Sequence, residues 1–172
     1  MPDDFLRERG VQTLGTRLRR LFERINGSVA DLYRHQLGFE QRWFALGMLL
    51  YKRGSLEVGT AAQQLGQSHV AVIQVVNAME AAGLVERVPS QKDRRRRLLA
   101  LTPVGMTRLK QVEGVSSRVE AAAQALINEA APEFLEMIDA LDDALEQRDF
   151  ASRIADAFAG RSMDDCDSSD VG

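Results

Sequence analysis

The stretch from Val58 to Leu101 constrains this chain more than any other part of it. Counting Val58 as the first position, Ala62 falls at the fifth, Gly66 at the ninth, Val72 at the fifteenth and Val75 at the eighteenth. Two helices joined by a tight turn need a small residue where they touch and a turn residue free to take positive φ. They also need apolar anchors on the second helix, and these positions supply all three. A pattern this short also fits an ordinary helical hairpin, so the segment that follows matters. Gly83 ends the second helix, Leu84–Val88 reads as a strand, Pro89-Ser90-Gln91-Lys92-Asp93 is turn chemistry, and Arg97–Leu101 is a returning strand. A β-hairpin with a basic tip directly after a helix-turn-helix is a winged helix. The expected fold class is therefore mainly α with a small β element (α+β).

Helices are expected on both sides of it. Leu14, Leu18, Leu21, Ile25, Val29 and Leu32 recur at spacings of three and four, an amphipathic helix over about 11–37 that Gly38 ends. A more apolar helix, about 40–53, carries Trp43, Phe44, Leu46, Met48, Leu49 and Leu50 and should be buried. Thr102 and Pro103 supply an N-cap and a first-turn proline for the next helix. Along it Leu109, Val112, Ser116, Val119, Ala123 and Leu126 form a heptad-like seam. Pro132 should start another helix with Phe134, Ile138, Leu141 and Leu145 on one face, and Phe150, Ile154 and Phe158 suggest a further short one. Beyond residue 160 the chain is acidic and Ser-rich, and 161–172 reads as a disordered tail.

Charge is distributed unevenly. From residue 129 onward there are 13 acidic and 3 basic residues, whereas 1–128 hold 19 basic against 12 acidic, within a net charge of −3. Steering of a polyanion depends on the local field, so a pI near 5.5 does not argue against nucleic acid. The basic stretches are Lys92-Asp93-Arg94-Arg95-Arg96-Arg97 and the set Arg17, Arg19, Arg20, Arg24. Either run alone could be a solvated surface. One Cys and two His exclude a disulfide framework and a Cys/His zinc cluster, so no metal or cofactor is expected. The start Met1-Pro2-Asp3-Asp4 lacks a signal-peptide pattern and the longest apolar run, Trp43–Tyr51, is too short to span a bilayer, so no membrane association and a cytoplasmic location are expected.

Residues about 40–110 resemble the MarR family of winged-helix transcriptional regulators. The resemblance is carried by Ala61-Ala62-Gln63-Gln64-Leu65-Gly66, by Met79-Glu80-Ala81-Ala82-Gly83-Leu84-Val85-Glu86-Arg87, by Asp93-Arg94-Arg95 and by Leu101-Thr102-Pro103-Val104-Gly105. With the flanking helices it covers about 11–147. The segment Phe39–Phe44 and the dipeptide Ser68-His69 are similar to a subgroup sometimes fused to an acetyltransferase domain, which is not expected in 172 residues. The family implies one MarR-like domain over 1–160. Within it, 11–37 and 103–147 would be dimerisation helices and 40–102 the winged helix of a homodimer on a double-stranded DNA operator. A long seamed helix joined to further amphipathic helices supports dimerisation independently.

Val72, Val75, Val76 and Met79 should face the core, leaving His69, Val70, Ile73, Gln74 and Asn77 to the major groove. Gln74 can pair bidentately with adenine, and Val70 or Ile73 can touch a thymine methyl. Ser68 fits an N-cap, a phosphate contact, or both. The family resemblance assigns Arg95 to the minor groove and Asp93 to holding it in place, with Arg94, Arg96 and Arg97 as phosphate contacts. It also places polar residues where Ala71 and Ile73 stand here, which shifts weight from base readout to shape. Many relatives release DNA when a small aromatic molecule binds. Tyr33, His35, Trp43, Phe44, Met48 and Tyr51 could line such a cleft, although Trp43, Phe44 and Met48 also read as plain core.

The chain carries no Gly-rich phosphate loop, His-Glu-x-x-His or nucleophile elbow, and the carboxylates Asp139, Asp142, Asp143 and Glu146 read as an exposed helix face, so an enzyme is not expected. Cys166 sits between Asp165 and Asp167, which disfavour its thiolate. The function expected is a sequence-specific DNA-binding regulator, a repressor. The alternative is a dimeric interaction module of the same fold that has lost DNA recognition.

Overall fold

A computed structural model describes residues 4–90, 93 and 95–164. They form two compact units, Met1–Val119 and Glu120–Gly172, whose boundary lies within one long helix. Lys92, Arg94 and Cys166, like residues 165–172 of the expected tail, lie outside the described residues.

The first unit opens with α1 (Phe5–Glu8) and a 3₁₀ turn, Gly10–Thr13, before the long α2 (Leu14–Leu37). The expected single helix from about 11 is thus shorter at its start, because Gly10 takes φ +52° and breaks the helical path. Asp4 caps α1 through the Leu6 N–H and pairs bidentately with Arg20 of α2 at 2.8 and 3.2 Å. That guanidinium holds the Asp4 carboxyl below its ordinary pKa. Gly38, at φ +53°, ends α2. A 3₁₀ turn, Gln41–Trp43, leads into α3 (Phe44–Arg53), so the helix expected from about 40 becomes α-helical only at Phe44.

The core gathers around α3. Phe39, Leu46, Leu50, Met79, Leu99 and Leu109 are essentially inaccessible to solvent, and Val72, Val76 and Val112 close the space between them. Burying such side chains contributes about 1.5–3 kcal/mol each before entropy is counted. Helices α4 (Val58–Gln64) and α5 (His69–Ala81) form the helix-turn-helix, turning at Gly66 with φ +59°. Ala61 and Ala62 are buried where the two helices meet.

Strands β1 (Val85–Pro89) and β2 (Arg97–Leu101) pair antiparallel, Val85 opposite Leu101 and Pro89 opposite Arg97. The link before α4 joins them. Leu56 and Leu99 exchange two backbone hydrogen bonds, 3.1 and 2.7 Å, as an isolated antiparallel bridge.

Helix α6 (Pro103–Ala130) begins where the hairpin closes. The Thr102 N–H donates to the Leu84 carbonyl at 3.0 Å, its hydroxyl donates to the Gly83 carbonyl at 2.7 Å, and the same hydroxyl accepts from the Gly105 N–H at 3.0 Å. A Cβ on Gly105 would lie 2.0 Å from the Leu84 carbonyl oxygen, so only glycine fits there. The seam along α6 is not one continuous surface. Leu109 and Val112 are fully buried in the first unit, whereas Leu126 is half exposed.

In the second unit, α7 (Phe134–Gln147) starts two residues after Pro132 rather than at it. Helix α8 (Phe150–Asp164) is a full helix and runs past residue 160, where the acidic tail was expected to begin. Asp149 caps it through the Ser152 N–H at 2.7 Å, and Arg153 turns back to the Ala144 carbonyl at 2.7 Å. Among the described residues no helix is long and apolar enough to cross a membrane.

Candidate nucleic-acid interface

Helix α5 buries one stripe and exposes the other. Val72, Val76 and Met79 are fully buried and Val75 is partly so, which anchors the helix through its inward face. The opposite face presents His69, Val70, Gln74 and Asn77 fully to solvent and Ile73 in part. Ala71 is half-buried. Ser68 is the N-cap, its Oγ accepting from the Ala71 N–H at 3.2 Å. The hydroxyl hydrogen stays available, and the first-turn N–H groups lack intrahelical partners, so this helix start can meet a phosphate oxygen.

The wing divides the arginines into two kinds. Arg95 and Arg97 are exposed, and among the described residues no carboxylate holds either guanidinium. Arg96 is engaged instead. Its guanidinium donates to Glu57 at 2.9 Å and lies 3.8 Å from Asp93, two carboxylates that push its pKa further up. It therefore ties the wing to the segment before α4 and is less available to phosphate than the sequence suggests. Asp93 acts on Arg95 through the backbone: its carboxylate accepts from the Arg95 N–H at 2.9 Å and leaves the Arg95 side chain outward.

Two further residues belong to this surface. Arg87 on β1 donates from Nε to Glu80 at 3.1 Å and from Nη2 to the side-chain oxygen of Asn77 at 3.2 Å. The Glu80–Arg87 pair spans the turn from α5 to β1, and opposite charges flanking a turn glycine are a signal visible in the sequence. Glu57 lies 39 positions from Arg96, and no sequence pattern joins them.

The residues expected to line an effector cleft divide differently. Tyr33 and Trp43 are buried with Phe39, Tyr33 stacks on Phe44 at 5.9 Å, and Phe39 meets Trp43 edge-on at 5.6 Å. Burial pushes the Tyr33 hydroxyl pKa up. Met48 and Tyr51 are half-buried and His35 is exposed. The aromatic members thus form packed core and His35 stands apart from them. The Trp43 indole N–H and the Gln41 side-chain oxygen are buried without a hydrogen-bond partner. No group of three or more His, Cys, Asp or Glu converges as a metal site among the described residues.

Residues 37–96 match the sequence model of the MarR family. No curated protein matches the chain. Solved structures extend the likeness in fold. A MarR family regulator from Silicibacter pomeroyi, SPO1453, is 21% identical over 83% of this chain and 99% of its own, with a TM-score of 0.63. The PcaV regulator from Streptomyces coelicolor, solved with its natural ligand, is 20% identical over 85% and 98%, with a TM-score of 0.62. Overoxidized AbfR bound to DNA is 17% identical over 81% and 93%, with a TM-score of 0.58.

Proposed function

We propose that this chain, whose residues 37–96 match the MarR family model, is a homodimeric transcriptional repressor of a pseudo-palindromic operator. The observation that carries the reading is the pairing of two surfaces. An anchored α5 faces solvent with His69, Val70, Ile73, Gln74 and Asn77, and a wing beside it exposes Arg95 and Arg97, which no carboxylate holds among the described residues. Helix α5 enters the major groove, with Gln74 reading adenine and Val70 or Ile73 touching thymine methyls. Ser68 holds a phosphate and Arg95 enters the minor groove, positioned by Asp93. Arg94 and Arg97 add phosphate contacts.

Residues 1–160 act as one functional domain, with 11–37 and 103–147 joining the two copies. Support comes from large apolar side chains left in solvent: Leu14, Leu18 and Phe22 on α2, Leu141 on α7, and Phe150 and Phe158 on α8, each at least half exposed. On each of these helices the apolar side chains are uncovered in a single chain and available to a second copy. Two copies bring two recognition helices to half-sites about 34–36 Å apart.

Relief by a small aromatic ligand is favoured by one observation, the unpartnered Trp43 N–H and Gln41 oxygen beside the aromatic core. A buried polar atom without a partner costs about 1–3 kcal/mol, which a ligand acceptor would recover at the Trp43 N–H and a ligand donor at the Gln41 oxygen. Titrating aromatic carboxylates and phenols while following Trp43 fluorescence and DNA binding together tests this. The DNA reading is tested by a gel shift against the gene's upstream DNA at two salt concentrations. Binding that falls steeply with salt is expected. No shift at low salt, from a protein that sediments as a dimer, would leave the interaction module in its place.

A further inference from the structure

We propose that Arg87 is a positioning residue that orients the Asn77 amide, so that this point of the recognition helix presents its hydrogen-bond donors to DNA. The inference rests on the DNA-binding reading and adds the chemistry of one base contact to it.

Arg87 leaves the base of the wing and reaches the third turn of α5. Its planar guanidinium meets two acceptors three residues apart on one helix face, Glu80 at 3.1 Å and the Asn77 oxygen at 3.2 Å. A guanidinium has donors and no acceptor, so it can accept only the oxygen end of the Asn77 amide. Glu80 fixes the guanidinium through a charge-assisted hydrogen bond, and the fork geometry then fixes the amide. One lone pair of the Asn77 oxygen is taken, and among the described residues its NH₂ group has no partner.

A free asparagine pairs bidentately with adenine because it offers a donor and an acceptor together. Asn77 held this way turns its oxygen toward Arg87 and its NH₂ group away, so the donor end leads toward the base, where it best matches the paired acceptors N7 and O6 of guanine or O4 of thymine. Gln74, one turn earlier on the exposed face, has no partner among the described residues and keeps both ends of its amide. The two amides, similar in composition, therefore read different bases: Gln74 favours adenine, and Asn77 favours guanine or thymine.

The test is selection of binding sites from a random-sequence duplex library by the full-length wild type, Asn77→Asp and Arg87→Lys, each first checked for an unchanged thermal melt. The wild type should select guanine or thymine at one position of each half-site. Asn77→Asp keeps an oxygen for Arg87 but turns the outward donor into an acceptor. It should disfavour the original base there by roughly tenfold and favour cytosine or adenine. Arg87→Lys loses the fork, frees the amide, and should admit adenine at that position while the rest of the site is unchanged. A merely structural Arg87 would not move the preference at a single position. Uniform weakening with an unchanged base profile in both variants overturns the inference, since Asn77 would then contact phosphate. A wild type that selects no sequence overturns the DNA-binding reading itself, a result distinct from the former.

Discussion

Gly105 shows how tightly one residue can be specified. Its missing Cβ makes room for the Leu84 carbonyl, and the resemblance at Leu101–Gly105 thereby acquires a steric cause. Gly105→Ala should destabilise the fold by about 1–3 kcal/mol, read as a lower urea midpoint, because the obstacle is backbone and cannot swing aside. Arg95→Ala should do the reverse. Its side chain is exposed and has no carboxylate partner among the described residues, so stability should change by less than about 0.5 kcal/mol while operator affinity falls roughly tenfold. Wild-type binding by Arg95→Ala would remove the wing from the interface. Arg96 gives a third case. Glu57→Gln loosens its tether, and if the freed guanidinium reaches DNA, the slope of log affinity against log salt should steepen by about 1.

At the scale of elements, the helix-turn-helix and wing were readable because their signals are local. A buried alanine, a turn glycine and an apolar stripe lie within one short window, and the two strands follow directly, separated by turn residues. The seam of α6 was legible only in part, because a repeat of three and four residues records that a face is apolar and not what covers it. Leu109 and Val112 are covered by their own unit. The Leu56–Leu99 bridge and the Glu57–Arg96 pair escaped for another reason: partners far apart in sequence leave no periodicity. One such tie also has a pH signature. Lys52 of α3 pairs with Glu113 of α6, and the ammonium holds the Glu113 carboxyl below its ordinary range. A depressed carboxylate pKa gives stability that is complete above the unfolded value and disappears as pH falls through the folded one. Glu113→Gln should therefore flatten the acid limb of stability, measured by urea midpoints between neutral pH and about pH 3, and leave stability at neutral pH slightly lower.

For the whole molecule, the exposed apolar side chains decide how it exists in solution. Leu126 and Leu141 are each about half or more exposed. Replacing either by Asp should cost the single chain little, since neither is buried in it, and should abolish a dimer that buries them. Sedimentation equilibrium should then show a helical monomer, with far-UV circular dichroism distinguishing it from unfolded protein. A wild type that sediments as a monomer at micromolar concentration would exclude the homodimer. What the sequence carries toward such a dimer is apolar content. Which faces would meet depends on the second copy, and a single chain's pattern carries no trace of that.

The hydrogen bond from the Thr102 N–H to the Leu84 carbonyl brings the two ends of the hairpin together at one point. The chain thus leaves the helical scaffold and returns to it at the same place. Beyond the paired strands, whose side chains are tied to that scaffold, the tip is an excursion whose length the scaffold does not register, and doubling a loop costs only about 0.6 kcal/mol in closure entropy. The hairpin tip can therefore be lengthened, shortened or exchanged for another basic loop, provided Leu84, Leu99, Thr102 and Gly105 are kept. Selection could remodel what this protein touches at its tip without having to rebuild the protein that holds it.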